Sequence, residues 1–232
     1  MGEVLAIIPC YNEDKNLEHV VKELMEKASS IDFIVVNDGS SDESYKVCLE
    51  NNFPVIDLPF NLGLANAIQT GMRYAYSSGY EFALQFDGDG QHMPEYIPGL
   101  IRCMSESDAD IVIGSRFMNG GSRGFRGLGR WFLRVAIRLA TGKKLTDPTS
   151  GMRLFNRRMI CKFAGQMNHG PEPDTLAYLI NCGAKVVEEP VTMRERLAGK
   201  SYLGTLAAAS YMLRMFVSII IIQWFRSKED LV

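Results

Sequence analysis

The first half of the chain alternates short apolar runs with longer segments in which apolar residues recur at helical spacing. The apolar runs are continuous, which is typical of strands buried on both faces of a parallel sheet. The pattern predicts strands at 4–9, 33–38, 54–58, 82–87 and 110–115. It predicts helices at 14–28, 42–51, 63–77 and 94–104. The expected fold class is therefore α/β, a Rossmann-like, mostly parallel sheet flanked by helices.

Polar residues follow three of these predicted strands where each strand ends. Tyr11, Asn12 and Glu13 come after the first strand, residues 38–42 after the second and residues 87–91 after the fourth. Ligands of open α/β sheets bind beyond the carboxyl ends of the strands, so a site is expected at this edge. Taken alone, 38–42 is equally well explained as a helix N-cap. The coincidence of three clusters favours a site.

The segment 82–92 carries the most specific chemistry, because an apolar run ends in Asp87, Asp89 and Gln91 at two-residue spacing. Such oxygen ligands suit a hard cation, Mg2+ or Mn2+, that also binds substrate phosphates. A tight turn is the alternative, since Asp and Gly are preferred turn residues. An EF-hand calcium loop is excluded, because Pro98 stands where its closing Glu belongs.

Composition indicates the class of protein, and the distribution of charge indicates where anionic ligands are expected. A chain of 232 residues, 47% hydrophobic and 22% charged, can bury a full core. The five cysteines include no Cys-x-x-Cys pair and are expected to be reduced thiols of a cytosolic protein. No secretory signal, P-loop or dinucleotide fingerprint is found. Although the net charge is −2, residues 115–144 carry eight Arg or Lys and no acid, so anionic ligands are expected there.

Within this basic stretch, Arg130, Arg134 and Arg138 recur at four-residue spacing and are expected to line one helix face. Like charges at that spacing are unfavourable without an anionic partner, which points to phosphates. The alternative is a solvated face beside a membrane.

Seven segments are more specific together than any single motif. They are IPCYNE (8–13), VNDGSSD (36–42), NLGLA (61–65), FDGDGQHMPE (86–95), GSR (114–116), DPTSGMR (147–153) and RLAGKS (196–201). In this order they resemble family 2 glycosyltransferases, especially the dolichol-phosphate mannosyltransferase and polyprenyl-phosphate glycosyltransferase group. The resemblance implies a GT-A fold and an inverting, metal-aided transfer from a nucleoside-diphosphate sugar.

The resemblance also implies residue roles. The metal ligands are Asp87, Asp89 and Gln91. The nucleotide-sugar ligands are Pro9, Tyr11, Glu13, Asp38, Asp87, Arg196 and Lys200, the last two on a loop that closes over the diphosphate. The acceptor-phosphate ligands are Arg116, Arg130, Arg134 and Ser150, and the catalytic residues are Asp89, Asp147, Arg116 and Arg130. Relatives commonly carry a Lys two places beyond Lys200, where this chain has Tyr202.

The acceptor decides how much acid–base machinery is needed. A hydroxyl acceptor requires a carboxylate base, whereas a lipid phosphate is already anionic and mainly needs orientation. Asp147, Glu172 and Asp174 are candidate bases, or else turn and helix-start residues. The Gln-x-x-Arg-Trp signature of processive synthases is absent from the sequence, which argues against a polymerase.

The leading hypothesis is transfer of one sugar from a UDP- or GDP-sugar to a polyprenyl phosphate (undecaprenyl or dolichyl). The alternatives are a hydroxyl acceptor on a glycan or lipid, and a non-enzymatic nucleotide-sugar binding or assembly subunit. Nucleic acid is not expected as a partner.

The segment 203–225 is apolar apart from a few polar residues and Arg214 at its middle. It is long enough to cross a bilayer, but a central charge is costly there. We expect a catalytic domain at 1–202 and, at 203–232, a helix that lies in the membrane interface or between subunits, on the cytosolic face. A second copy or a small membrane subunit is a candidate partner. The alternative is that this helix closes the domain's own core.

Overall fold

A computed structural model describes residues 2–118, 125–165, 170, 172–195 and 205–222. Its strands are β1 (Val4–Cys10), β2 (Asp32–Asn37), β3 (Val55–Asp57), β4 (Phe82–Gln85), β5 (Ile111–Ser115), β6 (Arg153–Asn156) and β7 (Val186–Pro190). Its α-helices are α1 (Leu17–Lys27), α2 (Ser44–Glu50), α3 (Leu64–Ser77), α4 (Ile97–Ser107), α5 (Phe125–Thr141), α6 (Arg157–Gly165), α7 (Pro173–Asn181) and α8 (Thr205–Val217). A 3-10 turn (Pro94–Tyr96) precedes α4, and a π turn (Ser218–Ile222) extends α8.

The strands form one sheet in the order β3-β2-β1-β4-β6-β5-β7. Neighbouring strands are parallel except at β6, which runs antiparallel to both β4 and β5. The mostly parallel sheet predicted from the sequence is confirmed. The first five strands and the helices between them form where they were predicted, with ends shifted by a few residues. The pattern predicted neither β6, which has four residues, nor β7, which has five.

The central strand β1 shows why continuous apolar runs form this sheet. Leu5 and Ile7 point into the layer of α3, α5, α6, α7 and α8, whereas Ala6 and Ile8 point into the layer of α1 and α4. Successive side chains of a strand face opposite sides, so a strand covered on both faces must be apolar throughout. Helix α3 approaches β1 closely, since a Cβ on Gly71 would lie 2.3 Å from Ile7 Cγ2.

Helix α8 packs beside α5 and α7 with one face in the core. Met215 and Ile219 are buried there, while Leu213 and Ile221 are exposed. Among the helices of the described residues, none has the length and apolar character needed to span a membrane. The boundary at residue 202 stays a prediction, and residues 223–232 lie outside the described part.

Candidate active site

The carboxyl ends of β1, β2 and β4 lie side by side and bring the predicted polar clusters together. The segments after β1 and β2 touch: the backbone N–H of Asn12 donates to Ser40 Oγ at 3.0 Å, and that of Ser41 donates to Asn12 Oδ1 at 2.8 Å. The segment after β4 passes close to β1, since a Cβ on Gly88 would lie 3.2 Å from the Pro9 carbonyl oxygen. Pro9, Tyr11 and Glu13 are partly buried along this edge.

Asp38 is buried, and its carboxylate fastens the neighbouring loop. Oδ1 accepts the backbone N–H of Leu62 at 2.8 Å, and Oδ2 accepts that of Gly63 at 2.9 Å. The loop after β2 and the Phe60 backbone approach each other closely. Gly39, with φ +62°, leaves no space for a side chain between them. Asp38 therefore shapes the edge of the site, and its contact with a nucleotide stays a prediction.

Asp87 is oriented by two side chains. Gln85 Nε2 donates to Asp87 Oδ1 at 3.1 Å, and the Asp87 backbone N–H donates to His92 Nδ1 at 2.9 Å. A His that accepts at Nδ1 carries its proton at Nε2 when neutral, and that nitrogen lies 3.6 Å from Asp87 Oδ2. His92 is buried against Phe86, so both partners of the carboxylate are fixed in place.

Gly151 lies against the same carboxylate. A Cβ on Gly151 would lie 2.5 Å from Asp87 Oδ2 and 3.4 Å from His92 Cε1. Because Gly151 has no side chain, the backbone of the segment before β6 can pack directly against the Asp87 carboxylate. Sequence reasoning included Gly151 in a motif but gave it no role.

Asp89 and Gln91 continue the turn after β4. Asp89 Oδ1 accepts the backbone N–H of Gln91 at 3.0 Å, and Gln91 Nε2 donates to the Arg194 carbonyl at 3.3 Å. Among the described residues, no three His, Cys, Asp or Glu side chains gather as a metal cage. Mg2+ is usually held by one or two carboxylates together with waters and substrate phosphates. Two carboxylates and an amide fit that kind of site.

Arg194 anchors the segment that leads to residues 196–201. Its guanidinium donates to both carboxylate oxygens of Glu23 on α1, at 2.7 and 2.8 Å. These bonds lower the pKa of Glu23 to about 2. Arg196, Lys200 and Tyr202 lie outside the described residues, so their predicted contacts with a diphosphate stay predictions.

Arg116 follows β5 directly and pairs with Asp147. Arg116 Nε donates to Asp147 Oδ2 at 2.6 Å, and Nη2 donates to Oδ1 at 2.9 Å. Such a two-point pair fixes the plane of the guanidinium. Asp147 is fully buried, whereas one third of the Arg116 side chain is exposed and can meet an anion.

Glu188 on β7 fixes the backbone that carries Asp147. Its carboxylate accepts the backbone N–H of Asp147 at 2.7 Å, the backbone N–H of Thr146 at 2.7 and 2.9 Å, and Thr146 Oγ1 at 3.0 Å. Sequence reasoning missed Glu188, since β7 was not predicted. The available signal was weak, because β7 contains only the apolar pair Val186-Val187 before two adjacent acids, Glu188 and Glu189.

Arg153 lies on β6, between Gln85 of β4 and Ile113 of β5. It is fully buried and donates to the carbonyls of Ser150 at 2.9 Å and Pro148 at 2.8 Å. Burial lowers its pKa to about 10, and nearby carboxylates, including Asp147 and Asp87, oppose that shift. Arg153 belongs to the segment 147–153, but the resemblance implied no role for it. The structure shows that it adds positive charge beneath the site.

The remaining predicted phosphate ligands differ in their surroundings. Ser150 is buried and donates to the Gly114 carbonyl at 2.6 Å, so its described contacts are with the backbone. Arg134 is exposed on α5, and its Nε donates to the Leu145 carbonyl at 3.1 Å. The Arg130 side chain lies outside the described part of α5. Acceptor binding by these three residues stays a prediction.

The acids at the start of α7 are constrained in different ways. Asp174 is buried, and its Oδ2 accepts a hydrogen bond from Ser218 at 2.8 Å. Glu172 is partly buried, and burial together with the nearby Asp174 raises its pKa.

The chain is similar to known proteins along most of its length. The family profile described as Glycosyl transferase family 2 matches residues 5–163. An undecaprenyl-phosphate mannosyltransferase of Micrococcus luteus is 30% identical over 214 residues, which cover 87% of this chain and 87% of that protein. A UDP-N-acetylglucosamine–dolichyl-phosphate N-acetylglucosaminyltransferase of Methanococcus voltae is 31% identical over 187 residues, which cover 71% of this chain and 73% of that protein.

A solved structure is similar in fold. Glucosyl-3-phosphoglycerate synthase of Mycobacterium tuberculosis, in complex with Mn2+, UDP-glucose and phosphoglyceric acid, matches with a TM-score of 0.70 at 15% identity. The match covers 97% of this chain and 80% of that one. At this identity the likeness concerns the fold, and it confirms the GT-A architecture that the sequence implied.

Proposed function

Because the chain belongs to glycosyl transferase family 2, we propose that it transfers one sugar, with inversion, from a UDP- or GDP-sugar to a polyprenyl phosphate. Relatives whose names specify a lipid-phosphate acceptor support this proposal. We further propose that it works at the cytosolic surface of a membrane.

The observation that carries the proposal is the course of segment 147–151. At one end, Asp147 and Thr149 contact the guanidinium of Arg116, with Thr149 Oγ1 3.2 Å from Nη2. At the other end, Gly151 lies against Asp87. A cationic side chain suited to an acceptor phosphate is thus joined, through five residues, to the carboxylate suited to a metal–diphosphate. Donor and acceptor both carry phosphates, and this segment lies between groups suited to each.

The donor half of the site consists of Asp87, Asp89 and Gln91, which would hold Mg2+ or Mn2+. A bound divalent cation stabilises the negative charge that develops on the departing nucleoside diphosphate. Gln85 and His92 orient the Asp87 carboxylate, and Asp89 is set by its bond to the Gln91 backbone. The amide nitrogen of Gln91 donates to the Arg194 carbonyl. The amide oxygen of Gln91 is therefore the atom that would coordinate a cation.

The Gly151→Ala variant tests whether Asp87 is positioned by this contact. We expect a fall in turnover of about a hundredfold, because the added methyl displaces a carboxylate whose placement matters at the level of an ångström. The measurement is transfer rate against Mn2+ concentration. Gly165→Ala is the matched control, since nothing lies within 4 Å of its added Cβ. Wild-type turnover and metal response in Gly151→Ala would contradict this account of the donor site.

The acceptor half favours a phosphate over a hydroxyl. A hydroxyl acceptor needs a base, yet Asp147 is bound by Arg116 and Asp174 by Ser218. Glu172, with its raised pKa, is the remaining candidate of the three. A phosphate acceptor needs no base, and the exposed part of Arg116 is suited to orient it.

The Glu172→Gln variant, assayed with both acceptor classes, separates these two mechanisms. We expect it to retain most transfer to undecaprenyl phosphate, because no proton is removed from that nucleophile. Loss of a required base lowers the rate by about a hundredfold or more. Labelled donor sugar and product extraction give the measurement, with Glu106→Gln on exposed α4 surface as the control. Transfer to a glycan alone, abolished in Glu172→Gln, would favour the hydroxyl alternative.

A further inference from the structure

Helices α5 and α8 share an exposed apolar surface. On α5, Trp131, Phe132 and Leu139 are 53%, 45% and 75% exposed. On α8 and its π turn, Leu213, Val217 and Ile221 are 65%, 39% and 52% exposed. The positions 213, 217 and 221 recur every four residues, so they form one stripe along the helix.

The two sets of exposed residues belong to one surface, because the helices pack against each other. The rings of Phe132 and Phe216 meet edge to face with centroids 6.2 Å apart. A Cβ on Gly129 would lie 3.2 Å from Met212 Cγ. We call the combined surface the docking face. It consists of Trp131, Phe132, Leu139, Leu213, Val217 and Ile221.

The charged residues in the sequence of α5, of the turn after it and of α8 are all positive. The acid beside the stripe of α8, Asp174, is buried and accepts a hydrogen bond from Ser218. Arg134 and Arg138 are exposed on α5, and Lys143 and Lys144 follow it. Neither 125–145 nor 205–222 contains an acid. Apolar surface next to a cationic border, with a Trp among the apolar residues, matches the chemistry of an anionic bilayer surface.

The cationic border of the docking face is connected to the acceptor half of the site through Arg134. Arg134 binds the carbonyl of Leu145, two residues before Asp147, and Asp147 holds Arg116. We propose that α5 and α8 together bind the surface of an anionic lipid bilayer, with their apolar side chains among the lipids and their arginines and lysines at the headgroups. This rests on the proposed function, in which a lipid phosphate is delivered from that surface to Arg116.

Vesicle flotation with the full chain tests the proposal. The wild type is expected to float with vesicles of phosphatidylcholine mixed with phosphatidylglycerol. The double variant Leu139→Glu, Leu213→Glu is expected to lose about tenfold in partitioning for each leucine. Leu49→Glu on α2 is the matched control, since Leu49 is 55% exposed elsewhere on the molecule. Wild-type flotation of the double variant, or no flotation of the wild type, would overturn the proposal.

A second set of variants tests the cationic border. Arg138→Gln, Lys143→Gln and Lys144→Gln together are expected to lower partitioning roughly a hundredfold on anionic vesicles, about fivefold for each charge. Pure phosphatidylcholine vesicles should show little difference. If the apolar variants instead split a wild-type dimer while vesicle binding is absent, the face is an interface between copies and the proposal fails.

Transfer to a water-soluble short-chain prenyl phosphate separates this inference from the proposed function. The Leu139→Glu, Leu213→Glu variant should keep wild-type transfer to that acceptor and lose it with vesicle-embedded polyprenyl phosphate. If the wild type transfers to neither acceptor yet floats through the docking face, the proposed function fails while the membrane surface stands.

Discussion

Replacing Asp89 with Asn is expected to lower the turnover of sugar transfer about a thousandfold. The substitution removes one negative charge from the proposed metal site, while its amide oxygen can still accept the Gln91 N–H that Asp89 Oδ1 accepts now. A thousandfold corresponds to about 4 kcal/mol, within the range that a cation contributes to stabilising a leaving group. The rate should be measured against Mn2+ concentration, and the Mn2+ concentration for half-maximal rate should rise.

Asp108→Asn is the matched control for this prediction. Asp108 ends α4 at φ +48°, where Asn is well tolerated, and it is exposed. It undergoes the same chemical change away from the site, so its activity and metal response should match the wild type. Unchanged turnover and unchanged metal dependence in Asp89→Asn would refute the metal site at the end of β4.

The sequence was informative wherever one local rule decides the structure. Continuous apolar runs fix β1, β2 and β4, and the rule that ligands bind beyond the carboxyl ends then brings their polar clusters to one edge. Asp87 and Asp89 could be singled out because they directly follow such a run. None of these inferences needs a contact between distant parts of the chain.

The features that sequence reasoning missed depend on distant contacts. Glu188 binds Asp147 across 41 residues, so its role is visible only when β7 lies beside β5. The contact of Gly151 with Asp87 depends on the antiparallel β6 inserted between β4 and β5. A four-residue strand leaves too short a pattern to predict that insertion.

The C-terminal helix was ambiguous for a different reason. Met215 and Leu213 are both apolar, yet Met215 is buried and Leu213 is exposed. Hydrophobic periodicity identifies a buried face only when the opposite face is polar. Because α8 is apolar on both sides, the choice between core and surface roles had to come from the packing of α5 and α7. The structure gives it both, with one side in the core and the other exposed.

Arg116→Ala is expected to reduce both stability and transfer. Removing one partner of a buried pair costs about 3–5 kcal/mol, because the other charge is left desolvated, and Asp147 is fully buried. The lower part of that range is expected, since Thr149 Oγ1 still donates to Asp147. Unfolding in urea gives the stability, and single-turnover transfer below the unfolding transition gives the activity of the folded enzyme.

Arg158→Ala separates the two effects of Arg116→Ala. Arg158 on α6 pairs in the same two-point way with Asp110, which is also buried, but neither residue belongs to the proposed site. It should therefore lose stability like Arg116→Ala and keep wild-type transfer, whereas Arg116→Ala should lose about a further hundredfold in kcat/KM for the lipid phosphate. Arg116→Lys keeps the charge but not the two-point geometry of the guanidinium. Its transfer activity should therefore lie between that of Arg116→Ala and that of the wild type. If Arg116→Ala and Arg158→Ala lose stability equally and transfer equally well, Arg116 only supports the fold, and the acceptor phosphate must be bound elsewhere.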